Sequence, residues 1–268
     1  MGLGLGNSLT HAGYISGKYS NFSGSFDGTA DFVLLPEVAA LKPTAALSIS
    51  LWAKPNAWDM TNGGNNDYFL GCVSSGGFGI YMANTGAQVT KIKGIIRVED
   101  DGVTGNPDYI RPEINEATVE ALTGWHHIVM TFDGTTAKLY LDADGSTGIT
   151  NATGASGTTI RYHSSNARPI MLGADAATDT TASDFYHGLL DEVAIWNVAL
   201  DQNDITALFN SGTPITPTQN SGGYDKSSGL VGYWAFEEGS GTTVADDSTN
   251  SNNGGLGNAW SWSTDTPG

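Results

Sequence analysis

One local unit constrains this chain more than any other: Gly124-Trp125-His126-His127-Ile128-Val129-Met130-Thr131-Phe132, then Asp133-Gly134-Thr135-Thr136, then Ala137-Lys138-Leu139-Tyr140-Leu141. Two alternating runs parted by an Asp-Gly turn predict a β-hairpin. The same period of two runs through Leu47-Ser48-Ile49-Ser50-Leu51-Trp52-Ala53-Lys54. Leu47, Ile49, Leu51 and Ala53 fall on one side, and Ser48, Ser50, Trp52 and Lys54 on the other. Further strand signals lie at 25–35, 68–73, 78–82, 91–98, 169–173, 188–196 and 230–236, separated by Gly, Asn, Asp, Ser and Thr. One helix is predicted near 201–210. Asp201 is its N-cap, Asp204 follows three residues on, Ile205, Leu208 and Phe209 share a face, and Gly212 ends it. Many short strands with one helix predict an all-β antiparallel two-sheet sandwich.

Composition narrows the partners. At 39% hydrophobic the 268 residues can fill a large core, and a charged fraction of 15% is too low for disorder driven by charge. Acidic residues outnumber basic ones 28 to 11, a formal charge of −17. Such a surface repels phosphate backbones and anionic lipid, so neither nucleic acid nor membrane is an expected partner. Cys72 is the single cysteine, so no internal disulfide forms. The start, MGLGLGNSLT, carries no signal-peptide pattern.

Five segments, in order, resemble the laminin-G-like, concanavalin A-like jelly rolls. They are Gly24-Ser25-Phe26-Asp27-Gly28-Thr29-Ala30-Asp31-Phe32-Val33, the 47–55 strand, Gly124-Trp125-His126-His127-Ile128-Val129, Leu172-Gly173, and Gly188-Leu189-Leu190-Asp191-Glu192-Val193-Ala194-Ile195-Trp196-Asn197. One departure stands out. Leu230-Val231-Gly232-Tyr233-Trp234-Ala235-Phe236-Glu237-Glu238-Gly239 resembles the segment that opens such domains, yet here it comes last. The expected organisation is an arm at 1–16, a jelly-roll body at 17–212, a linker at 213–229, and a segment at 230–268 that supplies the missing first strand. That strand completes its own domain as in a permuted fold, or completes a second copy of the chain by exchange through 230–236, or belongs to a separate small module.

The resemblance also implies a structural Ca²⁺ near the Asp27 and Asp191 segments, although Asp27, like Asp133, also suits a plain Asp-Gly turn. Saccharide binding would use loop aromatics with amides, for which Trp58, Asn66 and Tyr109 are the candidates. Catalysis is not expected. Glycosidases place two carboxyls across the scissile bond, usually here as E-x-D-x-x-E, which is absent. Asp191 and Glu192 are adjacent, so on a regular strand they face opposite ways, as do Glu237 and Glu238. His126 and His127 sit on a strand with no nucleophile elbow or zinc spacing beside them.

The chain is also similar in style to virion proteins of marine bacteriophages. That likeness implies a non-catalytic decoration or fibre component on a virion surface, made in the host cytoplasm. Its partners would be other virion proteins, copies of itself, or a cell-surface glycan. The alternative is a soluble extracellular, Ca²⁺-stabilised lectin-like module.

Overall fold

A computed structural model describes residues 20–58, 66–73, 76–84, 90–99, 109–145, 148–149, 157–162, 169–176, 181–258 and 260–268. Its strands, in chain order, begin with β1 (Ser23–Asp27), β2 (Val33–Leu34), β3 (Leu47–Pro55), β4 (Asn66–Gly71), β5 (Phe78–Asn84) and β6 (Thr90–Arg97). Then come β7 (Tyr109–Ile110), β8 (Glu113–Ile114), β9 (His126–Phe132), β10 (Ala137–Leu141), β11 (Gly148–Ile149) and β12 (Met171–Leu172). The rest are β13 (Asp175–Ala176), β14 (Ala182–Ser183), β15 (His187–Trp196), β16 (Leu230–Trp234), β17 (Thr243–Val244), β18 (Gly254–Leu256) and β19 (Ser261–Ser263). Short helix α1 (Glu116–Val119) precedes β9, and α2 (Gln202–Phe209) follows β15.

Two antiparallel sheets face each other. Sheet A runs β10-β9-β3-β15-β1-β19, with β16 also on β15. Sheet B runs β11-β8-β6-β5-β4-β12-β2-β18-β17, with β7 on β6. The 126–141 hairpin forms as its alternation predicts, Leu139 opposite Met130 and Tyr140 opposite Val129. Between the sheets, Leu47, Ile49, Leu51 and Ala53 meet Phe69, Ile80, Ile92 and Ile96, all fully buried. Alternating side chains of both inner faces thus make one core.

Helix α2 is held by a capping box: the Asp201 carboxylate accepts from the backbone N–H of Asn203 and Asp204, and that of Asp204 accepts from the Asp201 N–H. It stops at Asn210, in the left-handed region at φ 42°, two residues before the glycine expected to end it. Its apolar face, Ile205 and Leu208, packs with Tyr224 over the outer side of sheet A, against Tyr233 of β16. Residues 213–229 lie there too. Tyr224 is 1% exposed, receives a hydrogen bond from Trp196 Nε1 and donates one to the Pro217 carbonyl.

The C-terminal residues enter both sheets. One edge of β15 is shared end to end: β1 pairs with residues 187–190 and β16 with 193–196. β18 adds to β2 in sheet B, and β19 adds to β1 in sheet A. Trp234, Phe236, Val244 and Trp260 belong to the same core as β3. The free edge of β16 is occupied by side chains and backbone of the next loop. Asp246 accepts from the Tyr233 N–H, Asp247 N–H donates to the Tyr233 carbonyl, and Asn252 donates to the Val231 carbonyl. An edge dressed in this way offers little to a foreign strand.

Candidate functional site

The outer face of sheet A carries most of the buried polar side chains. Ser50 Oγ lies 2.7 Å from His127 Nε2, while His127 stacks with Trp52 and Phe209. Burial pushes the His127 pKa down to about 4, against the pull of Asp142. Nearby, β15 carries a bulge between Asp191 and Ala194, with Glu192 in the left-handed region at φ 52°. Asp191 aligns with outward Trp52, Val193 points into the core, and Ala194 aligns with outward Tyr233. One extra residue has been inserted, so Asp191 and Glu192 both face outward. This corrects the expectation that adjacent carboxyls diverge.

These acids are sealed in. Asp191 is 0% exposed and Glu192 5%. Burial pushes the Glu192 pKa up to about 8, with Glu237 and Asp247 adding to it, even though the Tyr233 hydroxyl donates to the carboxyl. Asp191 is raised well above the ordinary range by burial and then by Glu192. Ser20 Oγ bridges Asp191 Oδ2 at 2.9 Å and Glu237 Oε1 at 2.7 Å. The cavity lined by Ser50, His127, Glu192 and Tyr233 holds about 10 Å³, room for one water at most. No substrate reaches these groups.

Asp27 and Asp191 do not converge. Asp27 aligns with His187, four residues along β15 from Asp191, roughly 13 Å away at ~3.3 Å per residue. Asp27 Oδ1 already accepts from the backbone N–H of Thr29, Ala30 and Asp31, and Oδ2 from the Thr29 hydroxyl. Those bonds hold its pKa at about 2 and make it a turn residue. The two residues therefore do not fit one Ca²⁺. Among the described residues no group of three His, Cys, Asp or Glu side chains could hold a metal ion.

The three saccharide candidates separate as well. Trp58 is 5% exposed within the main core, its Nε1 donating to the Gly124 carbonyl and its ring edge-on to His126. It offers no face to a ligand. Asn66 and Tyr109 are half-buried and share the outer face of sheet B. There Asn66 aligns with Ala83, Tyr68 with Tyr81, Tyr81 with Lys93, and Arg97 with Tyr109. The Tyr68 and Tyr81 rings stack at 4.6 Å. Gly71 and Gly79 allow this, because a Cβ on either would come within 2.9 Å of the Tyr68 ring. Above the tyrosines, the Arg111 guanidinium lies 4.4 Å and that of Arg97 5.3 Å from the Tyr109 ring centroid, cation–π distances. Lys91 and Lys93 flank Glu113 at 2.7 and 4.0 Å.

Sequence reasoning named Tyr109 and Asn66 but missed Arg97, Arg111 and the Tyr68–Tyr81 pair. Half of that signal was available: in 91–97 the alternation puts Lys91, Lys93, Ile95 and Arg97 on one side. A second cleft, of about 770 Å³, lies between the β9–β10 hairpin and the start of α2. Its polar groups are largely used: Asp133 in its turn, Asp201 in the helix cap, Gln202 on the Ala143 carbonyl. The Tyr140 ring is covered there by Gly145.

No helix among the described residues is long and apolar enough to cross a membrane. No curated protein matches the chain. Among solved structures, a Bacteroides ovatus protein described as carbohydrate-binding is similar, with a TM-score of 0.61 and 15% identity. The match covers 93% of this chain and 61% of that one, so the chain spans about three fifths of that neighbour. A heptameric SAP-like pentraxin of Limulus polyphemus scores 0.46 at 14% identity, over 72% of this chain and 84% of its own. The CBM40 of a Ruminococcus gnavus IT-sialidase, bound to α2,3-sialyllactose, scores 0.45 at 12% identity, over 71% and 99%. At these identities the likeness is one of fold. The Laminin_G_3 family model, described as the concanavalin A-like lectin/glucanases superfamily, matches residues 27–206, roughly two thirds of the chain. With its two-sheet jelly-roll sandwich, the chain belongs to that family.

Proposed function

We propose that this chain is a non-catalytic saccharide-binding module whose ligand lies on the outer face of sheet B around Tyr109. The observation that carries the reading is the contrast between the two outer faces. Sheet A is roofed by α2 and residues 213–229. Sheet B presents half-buried Asn66, Lys93, Arg97, Tyr109 and Arg111 over a floor of Tyr68, Tyr81 and Ile95. Amphipathic side chains over an aromatic floor suit a sugar, which has apolar ring faces and polar edges. The absence of catalysis is supported by the burial of Asp191 and Glu192 behind a cavity of one water's size.

Titration against a glycan panel tests the reading. Asn66→Ala with Tyr109→Ala should weaken binding at least tenfold, while Lys138→Ala in the other cleft leaves it unchanged. The reverse pattern moves the site to the β9–β10 cleft. We place the module on a virion surface, with residues 1–16, outside the described residues, attaching it to other virion proteins. A free extracellular module is the alternative setting. Co-sedimentation with particles supports the first, and a glycan-binding monomer the second.

A further inference from the structure

Four of the eleven basic side chains in this acidic molecule, Lys91, Lys93, Arg97 and Arg111, stand on one face of β6–β8. The carboxylate described beside them is Glu113, which pairs closely with Lys91 and only at 4.0 Å with Lys93. Along β6 the outward positions recur every second residue, ~6.6 Å apart at ~3.3 Å per residue, so Lys91 to Arg97 span ~20 Å. Arg111 Nε is buried and has no hydrogen-bond partner, while its guanidinium rests 4.4 Å from the Tyr109 ring. A buried donor left unsatisfied is costly, so an acceptor brought to it by a ligand is favoured. Burial also lowers the Lys93 pKa, against the opposing pull of Glu113, and the like charges of Arg111 and Lys91 lower it further. The stacked rings of Tyr68 and Tyr81 form the floor beneath these cations.

We infer that the ligand of this face is an acidic saccharide, with a carboxylate or sulfate group held by Arg111 and Arg97 and a neighbouring sugar contacted by Lys93. The inference rests on the saccharide-binding reading above and adds the charge class. A planar guanidinium fork held against a tyrosine is pre-organised for an oxyanion, and such charge-assisted bonds are about twice as strong as neutral ones. The net charge of −17 argues against capture of any polyanion at random, because the surrounding field repels all of them equally. Selectivity then requires the sugar ring and the anion together.

The test uses the full chain and calorimetric titration with matched pairs. One pair is tetragalacturonic acid and its methyl ester, which share a skeleton and differ in charge. The other is a sulfated galactan tetrasaccharide and its desulfated form. We expect one charged member to bind at least tenfold tighter than its neutral twin, and the pair that shows this identifies carboxylate or sulfate as the recognised anion. Arg111→Gln should cost that ligand at least tenfold and Lys93→Gln about threefold, with near-UV dichroism and Tm unchanged. Raising salt from 50 to 500 mM should weaken the charged member only. Equal binding of charged and neutral twins overturns the inference and leaves the saccharide-binding reading standing, as does a double R111Q/K93Q variant that binds the charged ligand normally. Equal affinity for a thymidylate tetramer of the same charge also overturns it, because the face would then be reading charge alone. Failure of every saccharide to bind overturns both.

Discussion

The buried acid Glu192 makes a sharp prediction about pH. Its pKa stands at about 8, against an ordinary 4.5, because burial removes its charge from water. The folded protein therefore binds a proton that the unfolded chain has released between pH 4.5 and 8. Stability contributed by the protonated form is complete below 4.5 and is lost as pH rises towards 8. At ~1.4 kcal/mol per pH unit the loss reaches about 5 kcal/mol. His127 acts in the opposite direction. Its pKa of about 4, against 6.5, means that the unfolded chain takes a proton the fold refuses, so its stability term is lost as pH falls from 6.5 to 4, about 3 kcal/mol in all. The two slopes cancel between 4.5 and 6.5. Above 6.5 the His127 term is complete and no longer offsets Glu192, whose share of about 2 kcal/mol disappears by pH 8. Of the groups facing Glu192, Asp191 and Asp247 are themselves raised and reinforce this limb, the Glu237 charge adds to the Glu192 shift, and the hydrogen bond from Tyr233 opposes it. Asp67, raised by burial from 3.8 to about 6, adds its own loss over that interval, so thermal melts from pH 4 to 9 should decline gently to pH 6 and then fall by roughly 4–8 °C from pH 6.5 to 8. Glu192→Gln keeps an acceptor for Tyr233 and removes the titration. The variant should gain on the parent steadily, by about 5 kcal/mol between pH 4.5 and 8. Parallel melting curves for the two proteins across that range would refute the argument.

Four further outcomes follow from the same geometry. Deleting residues 229–268 removes Trp234, Phe236, Val244 and Trp260 from the core, so the remainder should aggregate; a soluble monomer with an unchanged Tm would show that the segment folds separately. Trp58→Ala should cost about 3–5 kcal/mol of stability, read by urea unfolding, yet leave saccharide affinity within twofold at a temperature where the variant is folded. Asp201→Ala takes the acceptor from two helix N–H groups and should cost about 1 kcal/mol, a drop of a few degrees in Tm. Because Asp27 and Asp191 lie apart, EDTA should leave the Tm within 1 °C; a fall of several degrees restored by Ca²⁺ would mean a site formed from other residues.

Local alternation made the strands legible, and what it could not carry was the second coordinate of each side chain. Residues 47–54 read correctly as one apolar and one polar row, but Ser48, Ser50 and Trp52 are buried too. Their cover, α2 and residues 213–229, comes from more than 150 positions later, and no periodicity within β3 can announce it. Ser48 shows the cost of being roofed: its hydroxyl donates to the Val198 carbonyl and accepts from the Leu200 N–H, so a small polar residue is retained in a dry layer. The Asp191–Glu192 bulge was hidden for a related reason. Alternation is a property of one strand, whereas a bulge is a mismatch between three: β3 on one side, and β1 and β16 sharing the other. A bulge suits the place where one neighbour ends and another begins.

The same reasoning explains why the proposed ligand face was only half legible. Tyr109 and Asn66 are polar or aromatic residues beside long polar stretches, which is a compositional clue. What groups them with the cations is pairing across three strands, Asn66 through Ala83 to Lys91 and Tyr68 through Tyr81 to Lys93. Arg97 and Arg111 are fourteen positions apart, and they meet at Tyr109 only because β7 pairs with the end of β6. Placing cations there is energetically mild in a molecule of net charge −17, since the distributed acids attract each of them. Burying acids at the seam of β15 is the opposite case, expensive unless they stay protonated. The sandwich thus separates two electrostatic problems onto two outer faces. Sheet A hides uncharged acids beneath a helix, and sheet B leaves charged bases half in water, where an anion can reach them.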